Sequence, residues 1–171
     1  MTDRTPGLTE QDERRLLAKI GLPDSSGCMP WLAGTDAYGY GQLSLHRDGA
    51  QYARKAHRLV HELLVGPIPH GADIDHVCGR RDCCAPAHLR AVSRKQNMEN
   101  LGGAYRTSKS GIRGVSWHKP RRKWTARVQH NHKSIYLGLY EDIDEAAAAV
   151  AAARDDLYTH NDRDRAQRAE A

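Results

Sequence analysis

The fold of this chain is decided by residues 74–100, which read IDHVCGRRDCCAPAHLRAVSRKQNMEN. The stretch begins with the pair Asp75-His76, near the end of a short apolar run at residues 72–77 that predicts a strand. Residues 89–92 predict a second short strand. The local prediction is a two-stranded ribbon that carries the Asp-His pair near one end.

A helix is predicted to follow the ribbon. Ser93 with Gln96 three residues later is the pattern of a capping box, and Asn97 lies in the first turns of the helix. The order strand, loop, strand and helix would bring Asp75, His76 and Asn97 together at one end of the ribbon. A chance dipeptide and a helix surface residue are the alternative interpretation of the same three residues.

The loop of the ribbon contains candidate metal ligands. Cys78, Cys83 and His88 follow one another at even spacing, and Cys28 lies far upstream. No apolar run is long enough to span a membrane and the polar N-terminus is no signal peptide, so we expect a cytoplasmic protein. Cysteines in such a compartment favour metal binding over disulfides. Cys84 stays open as an alternative to Cys83, because adjacent cysteines seldom both bind one ion.

These residues resemble the HNH nucleases, which have a ββα-metal fold, and in particular the zinc-containing phage and homing-type members. The resemblance covers about residues 25–100, and Cys84-Ala85 stands where family members carry an Asn. It implies that His76 is the general base and that Asp75 and Asn97 hold a catalytic Mg²⁺ or Mn²⁺. It also implies a structural Zn²⁺ held by Cys28, Cys78, Cys83 and His88.

The chemistry of phosphodiester hydrolysis suits these side chains. An imidazole with an ordinary pKa near 6.5 is mostly neutral at pH 7, so His76 could take a proton from water. Asp75 and Asn97 offer the hard oxygen atoms that Mg²⁺ prefers. Four zinc ligands leave no open position, which indicates a structural rather than a catalytic zinc.

Two further histidines have a spacing that metal ligands also show. His57 and His61 lie four residues apart on a helix predicted for residues 56–65. The sequence implies no third ligand beside them. Structural roles or contacts with the DNA backbone are therefore the favoured interpretations, and their role stays open.

The character of the chain changes after residue 101. Residues 104–140 contain nine Lys or Arg, no Asp or Glu, and five aromatic residues. Polar and apolar residues alternate over residues 123–129, with further strands predicted at 114–118 and 134–138. These patterns predict a three-stranded antiparallel sheet with one cationic face. An alanine-rich helix at about residues 143–158 would cover the other face.

This second module resembles the plant ethylene-response-factor, or Apetala-two type, DNA-binding domain. The resemblance rests on residues 112–115, 123–126, 136–138 and 145–147, and it implies a sheet that lies in the major groove. The positions it assigns to DNA contact are Arg113, Ser116, His118, Arg127, Gln129, Ser134 and Tyr136; the basic face adds Lys123.

The resulting fold class is α+β: a zinc-stapled ββα-metal HNH nuclease domain followed by a three-stranded antiparallel sheet packed on one helix. We predict a nuclease domain with an N-terminal helix at residues 1–101, a linker at 102–111, a DNA-binding domain at 112–160 and a frayed tail at 161–171. A net charge of +5 and the basic cluster favour a polyanionic partner, here double-stranded DNA. No membrane or protein partner is implied, and the chain would act as a monomer or homodimer.

Three classes of function follow. The first is a metal-dependent, site-specific DNA endonuclease of homing or free-standing phage type, in which His76 activates water. The second is a non-catalytic, zinc-containing DNA-binding regulator, which the departure at Cys84-Ala85 would favour. The third is an RNA-binding structural protein, which fits less well because A-form RNA has a deep, narrow major groove.

Overall fold

A computed structural model describes residues 7–104 and 107–169 of the chain. Outside the described residues lie parts of the predicted terminus (1–6), linker (105–106) and tail (170–171). Tyr105, one of the aromatic residues of the basic segment, is among them. The chain divides into two compact units, Met1–Val92 and Ser93–Ala171. None of the described residues forms a helix long and apolar enough to cross a membrane.

The described residues of the first unit form two α-helices, a short 3-10 helix at Pro86–His88 and two small antiparallel sheets. Its elements are α1 (Glu10–Leu17), β1 (Gln42–Arg47), β2 (Ala50–Lys55), α2 (Ala56–Leu64), β3 (Asp73–His76) and β4 (Leu89–Val92). Strand β1 pairs with β2, and β3 pairs with β4. The β3–β4 pair is the two-stranded ribbon that the sequence predicts around Asp75 and His76.

The core of the first unit is formed by side chains from nearly every element. Its members are buried and mostly aliphatic: Leu16, Trp31, Leu43, Leu45, Ala56, Leu59, Val60, Ile74, Cys84 and Leu89. The indole of Trp31 lies so close to Gly41 that a Cβ atom there would be 2.6 Å from the ring. Position 41 therefore needs glycine if the indole is to stay buried.

The described residues of the second unit form a three-stranded sheet, three α-helices and a short 3-10 helix at Lys119–Arg121. Its elements are α3 (Arg94–Glu99), β5 (Val115–His118), β6 (Lys123–His130), β7 (Lys133–Tyr140), α4 (Ile143–Leu157) and α5 (Asp162–Ala169). The strand order is β5-β6-β7, with antiparallel pairs throughout. Helix α4 supplies Ala146 and Val150 to a core that also contains Val115 and Ala126. The small alanine side chains let the helix lie close to the sheet.

Two features of the second unit differ from the sequence-based expectation. The predicted frayed tail contains a helix, α5. Two ion pairs hold α5 to α4: Arg154 with Asp164 and Arg168 with Asp155, each at 2.7 Å. The division between units falls before Ser93, earlier than the predicted linker at 102–111. Helix α3 thus belongs to the second unit, although the extent of functional domains stays a prediction.

Candidate active site and metal centre

The Asp-His pair lies on the buried end of the β3–β4 hairpin. Asp75 is opposite Arg90 and His76 is opposite Leu89 in the antiparallel register. The side chains of Asp75 and His76 are both largely buried, at 6% and 7% exposure. Two adjacent polar residues buried on a four-residue strand need partners nearby, because unsatisfied buried polar groups are costly.

The partner of the His76 ring fixes its tautomer. His76 Nε2 lies 3.1 Å from the backbone carbonyl oxygen of Cys83. A carbonyl oxygen can only accept, so Nε2 carries the hydrogen and donates it. In the neutral imidazole the other nitrogen, Nδ1, then holds the lone pair that could take a proton.

The carboxylate of Asp75 is held by its neighbour across the hairpin. Arg90 donates from both Nε and Nη2 to Oδ2 of Asp75, each at 3.0 Å. Both of these hydrogen bonds go to the same carboxylate oxygen. The guanidinium compensates the buried negative charge and fixes the orientation of the carboxylate.

The rings of His57 and Tyr40 form a cluster with the ring of His76. The ring centroids of His57 and Tyr40 lie 4.7 Å and 5.9 Å from that of His76, and Tyr40 lies 5.3 Å from His57. A turn capped by Asp36, which accepts from the backbone of Tyr40 at 2.9 Å, holds the tyrosine in place. The His76 ring is therefore packed against two other rings, which restrict its rotation.

His57 is the member of this cluster that the sequence left without a role. Burial is the main cause that lowers the pKa of His57 to about 3, and the charges of Arg58, Lys55 and, when it is protonated, His76 act in the same direction. Its Nδ1 is buried and has no hydrogen-bond partner in the part of the chain that the structure describes. His57 is thus a neutral packing partner of His76.

The second histidine on α2 has a different contact. His61 Nδ1 lies 3.0 Å from the carbonyl oxygen of Gly66, where it caps the chain leaving the helix. The two histidines therefore do not converge on one metal, despite their spacing. Helical periodicity could have placed His57 on the core-facing side of α2, but its contact with His76 depends on the tertiary arrangement.

The four predicted zinc ligands come together. One ligand atom from each of Cys28, Cys78, Cys83 and His88 lies within 4.8 Å of all the others. His88 Nδ1 is 3.5 Å from Cys28 Sγ and 3.6 Å from Cys83 Sγ. A tetrahedral zinc with Zn–S near 2.3 Å and Zn–N near 2.0 Å holds such atoms about 3.5 Å apart. The donor set and its spacing therefore fit a structural zinc.

Metal binding at these thiols requires the loss of their protons. Burial raises the pKa of Cys78 to about 12 and also raises that of Cys83. Such thiols stay protonated at neutral pH unless a cation displaces their protons. Cys84, the alternative to Cys83, points elsewhere: its side chain is part of the hydrophobic core of the first unit.

The loop that departs from the family pattern is held by backbone contacts. Cys84 N donates to Met29 O at 2.7 Å, and the backbones of Pro30 and Cys83 form an isolated antiparallel bridge. Ala85 N donates to Cys83 Sγ at 3.4 Å. The segment that carries Cys28 therefore pairs with this loop and supports it without the missing Asn.

Asn97, the third predicted active-site residue, lies on α3 in the second unit and is half-buried. Its backbone N–H donates to Ser93 O at 3.0 Å. The predicted capping box is present, since Ser93 Oγ accepts from Gln96 N and Gln96 Oε1 accepts from Ser93 N. The sequence therefore placed this helix start correctly.

Most of the predicted DNA-contacting residues are exposed on the three-stranded sheet. Arg127 is paired across β6 and β7 with Tyr136, and Gln129 with Ser134, and all four side chains are exposed. The Arg127 guanidinium lies 5.4 Å from the centroid of the Tyr136 ring. Ser116 on β5 is exposed as well. This face offers a cation, an amide, hydroxyls and a flat ring.

Three members of that predicted set have contacts of their own. His118 Nδ1 accepts from Arg121 N at 3.3 Å, and Lys123 forms an exposed ion pair with Glu141 at 3.0 Å. Arg113 donates to backbone carbonyls at the end of α3, with Met98 O at 2.8 Å. Of the three, Arg113 has the most extensive contacts within the protein.

The comparison with protein families gives one match, to the family described as HNH endonuclease, over residues 54–99. This range contains every candidate active-site residue and every candidate metal ligand except Cys28. No solved structure matches the chain. The match supports a nuclease domain in the part of the chain where the Asp-His pair lies.

The relatives of this chain include proteins of the phages T7 and T3. Protein 3.8 of Escherichia phage T7 is 33% identical over 111 residues, covering 62% of this chain and 86% of that protein. The uncharacterized gene 5.3 protein of Enterobacteria phage T3 is 32% identical over 71 residues, covering 42% and 70%. Protein 2.8 of phage T7 is 31% identical over 95 residues, covering 56% and 63%.

Proposed function

Because this chain belongs to the family of phage proteins that includes protein 3.8 of phage T7, and carries an HNH endonuclease domain at residues 54–99, we propose that it is a site-specific DNA endonuclease. The proposal takes double-stranded DNA as substrate and hydrolysis of a phosphodiester bond as the reaction. The observation that carries it is the buried His76, whose Nε2–H is bonded to Cys83 O at 3.1 Å.

His76 would act as the general base. With the Nε2 hydrogen held by the carbonyl of Cys83, Nδ1 is the atom that would accept the proton of the attacking water. Packing against His57 and Tyr40 keeps the ring from turning, which matters because a base must stay aligned with its water. As Nδ1 gains the proton, the bond to the carbonyl oxygen strengthens and stabilises the imidazolium.

Asp75 and Asn97 would supply oxygen ligands to a divalent cation, Mg²⁺ or Mn²⁺. When bound, that ion would stabilise the charge that develops on the phosphate and the leaving oxygen. Arg90 would hold the Asp75 carboxylate in its orientation through two bonds to Oδ2 at 3.0 Å. Two protein ligands bind such an ion weakly, so the substrate phosphate would complete the site.

Zinc would be structural, bound by Cys28, Cys78, Cys83 and His88. The loop at residues 77–88 carries few apolar side chains, so it cannot hold itself by packing alone. Fixing Cys83 at the metal would also fix its carbonyl oxygen, which is the acceptor for His76. In this way a structural metal would determine the position of the base.

The exposed face of the three-stranded sheet would contact DNA. Arg127 and Gln129 have side-chain types that pair with guanine and adenine edges in a major groove. Ser116, Ser134 and Tyr136 could contribute phosphate or base contacts from the same face. Binding through this face would place the nuclease on a preferred sequence, since phosphate contacts alone position a protein without specifying a site.

The test is cleavage of supercoiled plasmid and phage genomic DNA by the full chain, with and without Mg²⁺ or Mn²⁺. His76→Ala should abolish cleavage while DNA affinity stays within a few-fold, because the imidazole activates water and does not hold the duplex. His70→Ala is the matched control, since His70 is an exposed histidine of the same unit.

Cleavage by a folded His76→Ala protein at the wild-type rate would refute the assignment of the base. DNA binding without cleavage by the wild-type protein, under any of the metals, would instead support a non-catalytic DNA-binding regulator. Sequencing the ends of the products identifies the target site and shows whether one strand or both are cut.

A further inference from the structure

Helix α3 is too short to be stable by its own hydrogen bonds. It spans six residues, Arg94–Glu99, and isolated helices of that length are unstable in water. Its N-terminus is satisfied by the capping box of Ser93 and Gln96. Its C-terminal carbonyl groups need partners from elsewhere, since the last turn of a helix leaves them unpaired.

Arg113 supplies those partners. Its Nη2 donates to Met98 O at 2.8 Å, and its Nη1 donates to Glu99 O at 3.2 Å and also to Leu101 O. A positive charge at the C-terminal end of a helix is favourable, because the carbonyl dipoles point toward it. One guanidinium therefore satisfies three carbonyl groups at and just beyond the end of α3.

Two further contacts hold the same end of the helix. Oε2 of the buried Glu99 accepts from Thr159 N at 3.2 Å and from Thr159 Oγ at 3.1 Å. Oδ1 of the buried Asn100 accepts from Arg163 N at 3.2 Å. These partners are sixty or more positions away in sequence, and they lie after α4 and on α5.

Arg113 is itself fixed by its surroundings. The buried Arg154 donates from Nη2 to the carbonyl oxygen of Arg113 at 2.7 Å, and the Arg113 guanidinium lies 5.9 Å from the centroid of the Tyr158 ring. Gly114 has a φ of +89°, and a Cβ there would be 2.5 Å from Arg127 O. The guanidinium thus projects from a backbone that has little freedom.

We propose that Arg113 is a positioning residue of the nuclease, which holds α3 and therefore the orientation of Asn97 rather than contacting DNA. Glu99 with Thr159, and Asn100 with Arg163, would complete the clamp. The inference rests on the proposed function, in which Asn97 is a ligand of the catalytic cation. It removes Arg113 from the set of DNA-contacting residues that the sequence predicts.

The clamp gives the second unit a role in catalysis as well as in binding. The residues that hold α3 belong to the unit whose sheet would contact DNA, so the helix that carries Asn97 and the DNA-binding sheet are parts of one unit. Loosening the clamp should leave the exposed face of the sheet unchanged. It should raise the metal concentration that cleavage requires, because Asn97 would spend less time in the orientation that binds the ion.

The experiment compares full-length wild type, Arg113→Ala, Thr159→Val and Arg127→Ala. For each protein we would measure DNA affinity in Ca²⁺, the Mg²⁺ concentration for half-maximal cleavage, and hydrogen exchange of the Asn97 and Asn100 amides. Arg113→Ala should raise the Mg²⁺ requirement and the exchange rate at least about tenfold, as loss of charge-assisted hydrogen bonds implies. Affinity should stay within roughly threefold, well below the effect of losing a base contact.

Two of the variants separate a clamp from general damage. Thr159→Val keeps the shape of an exposed side chain and removes the hydroxyl that donates to Glu99. It should raise the Mg²⁺ requirement and the hydrogen-exchange rate as Arg113→Ala does, but by a smaller factor. Arg127→Ala lies on the sheet face and should weaken DNA binding without altering hydrogen exchange of the Asn97 and Asn100 amides, which is measured without DNA.

An Arg113→Ala protein with weaker DNA binding but unchanged exchange and Mg²⁺ requirement would overturn the inference and make Arg113 a DNA contact. Absence of cleavage by the wild type would contradict the proposed function instead. In that case the exchange measurement still tests the clamp, because it needs no activity.

Discussion

The Nε2 hydrogen of His76 is donated to the backbone carbonyl of Cys83 at 3.1 Å, and the thiol of that same cysteine lies in the candidate zinc set. One residue therefore links the metal centre to the candidate base. A metal bound at Cys83 restrains the peptide group that orients the imidazole. Metal ligands often orient neighbouring groups in this way, so structural and catalytic roles need not be separate.

We predict that the purified protein holds one zinc per chain and that Cys78→Ser unfolds the first unit. Loss of a structural zinc ligand removes folding free energy of about 10 kcal/mol or more, which is comparable with the whole stability of a small domain. Elemental analysis and circular dichroism check the two statements. Cys84→Ala is the control: its side chain lies in the core, so it should keep one zinc per chain.

Arg90→Gln should destabilise the protein by up to about 3 kcal/mol, since it leaves the buried carboxylate of Asp75 without its guanidinium partner. Added Mn²⁺ or Mg²⁺ should then raise the melting temperature of the variant more than that of the wild type. The cation would replace the missing positive charge, and binding to the folded state stabilises it. Equal shifts for both proteins would argue against a cation at Asp75.

Stability should depend on pH through His57. Burial and nearby positive charges lower its pKa to about 3 in the folded protein, against about 6.5 when unfolded. The stability that the neutral ring contributes is complete above about pH 6.5 and is lost as pH falls toward 3. Below about pH 6.5 the free energy of unfolding should fall by up to about 1.4 kcal/mol per pH unit through this one group.

His57→Gln removes that titration, so the stability difference between wild type and variant should shrink as pH falls. Urea unfolding from about pH 7.5 to about pH 5, with zinc saturating for both proteins, measures it. A difference independent of pH would show that His57 is not held neutral by burial.

Arg127→Ala should weaken DNA binding and make the dependence of log affinity on log salt shallower by about one unit if the guanidinium contacts a phosphate. If the Arg127 guanidinium contacts a base edge instead, the binding free energy should become less favourable by about 1–3 kcal/mol, and only on DNA that contains the preferred base. Arg14→Ala is the matched control, because Arg14 is an exposed arginine of α1 in the first unit. Binding titrations over a range of salt concentrations distinguish these outcomes.

Local patterns in the sequence determined much of the fold. The capping box of Ser93 and Gln96, the spacing of Cys78, Cys83 and His88, and the alternation along β6 all predict structures that are present. Each of these signals comes from residues close together in the chain. Short-range hydrogen bonds and side-chain periodicity constrain such segments whatever the rest of the protein does.

Only the tertiary structure decided which distant side chains meet. The residues that neighbour His57 in sequence do not indicate that its ring packs against His76. The residues that neighbour Glu99 do not indicate that its carboxylate accepts a hydrogen bond from Thr159, which is sixty positions away. The local sequence of α5 predicts a polar, frayed tail. In the structure, ion pairs with Asp155 and Arg154 hold this helix in place. The sequence by itself thus predicted the ribbon and the candidate metal ligands, and it singled out the candidate base. The tertiary structure decided how α3 is held and what Arg113 contacts, because such pairs depend on how elements pack and not on their local propensities.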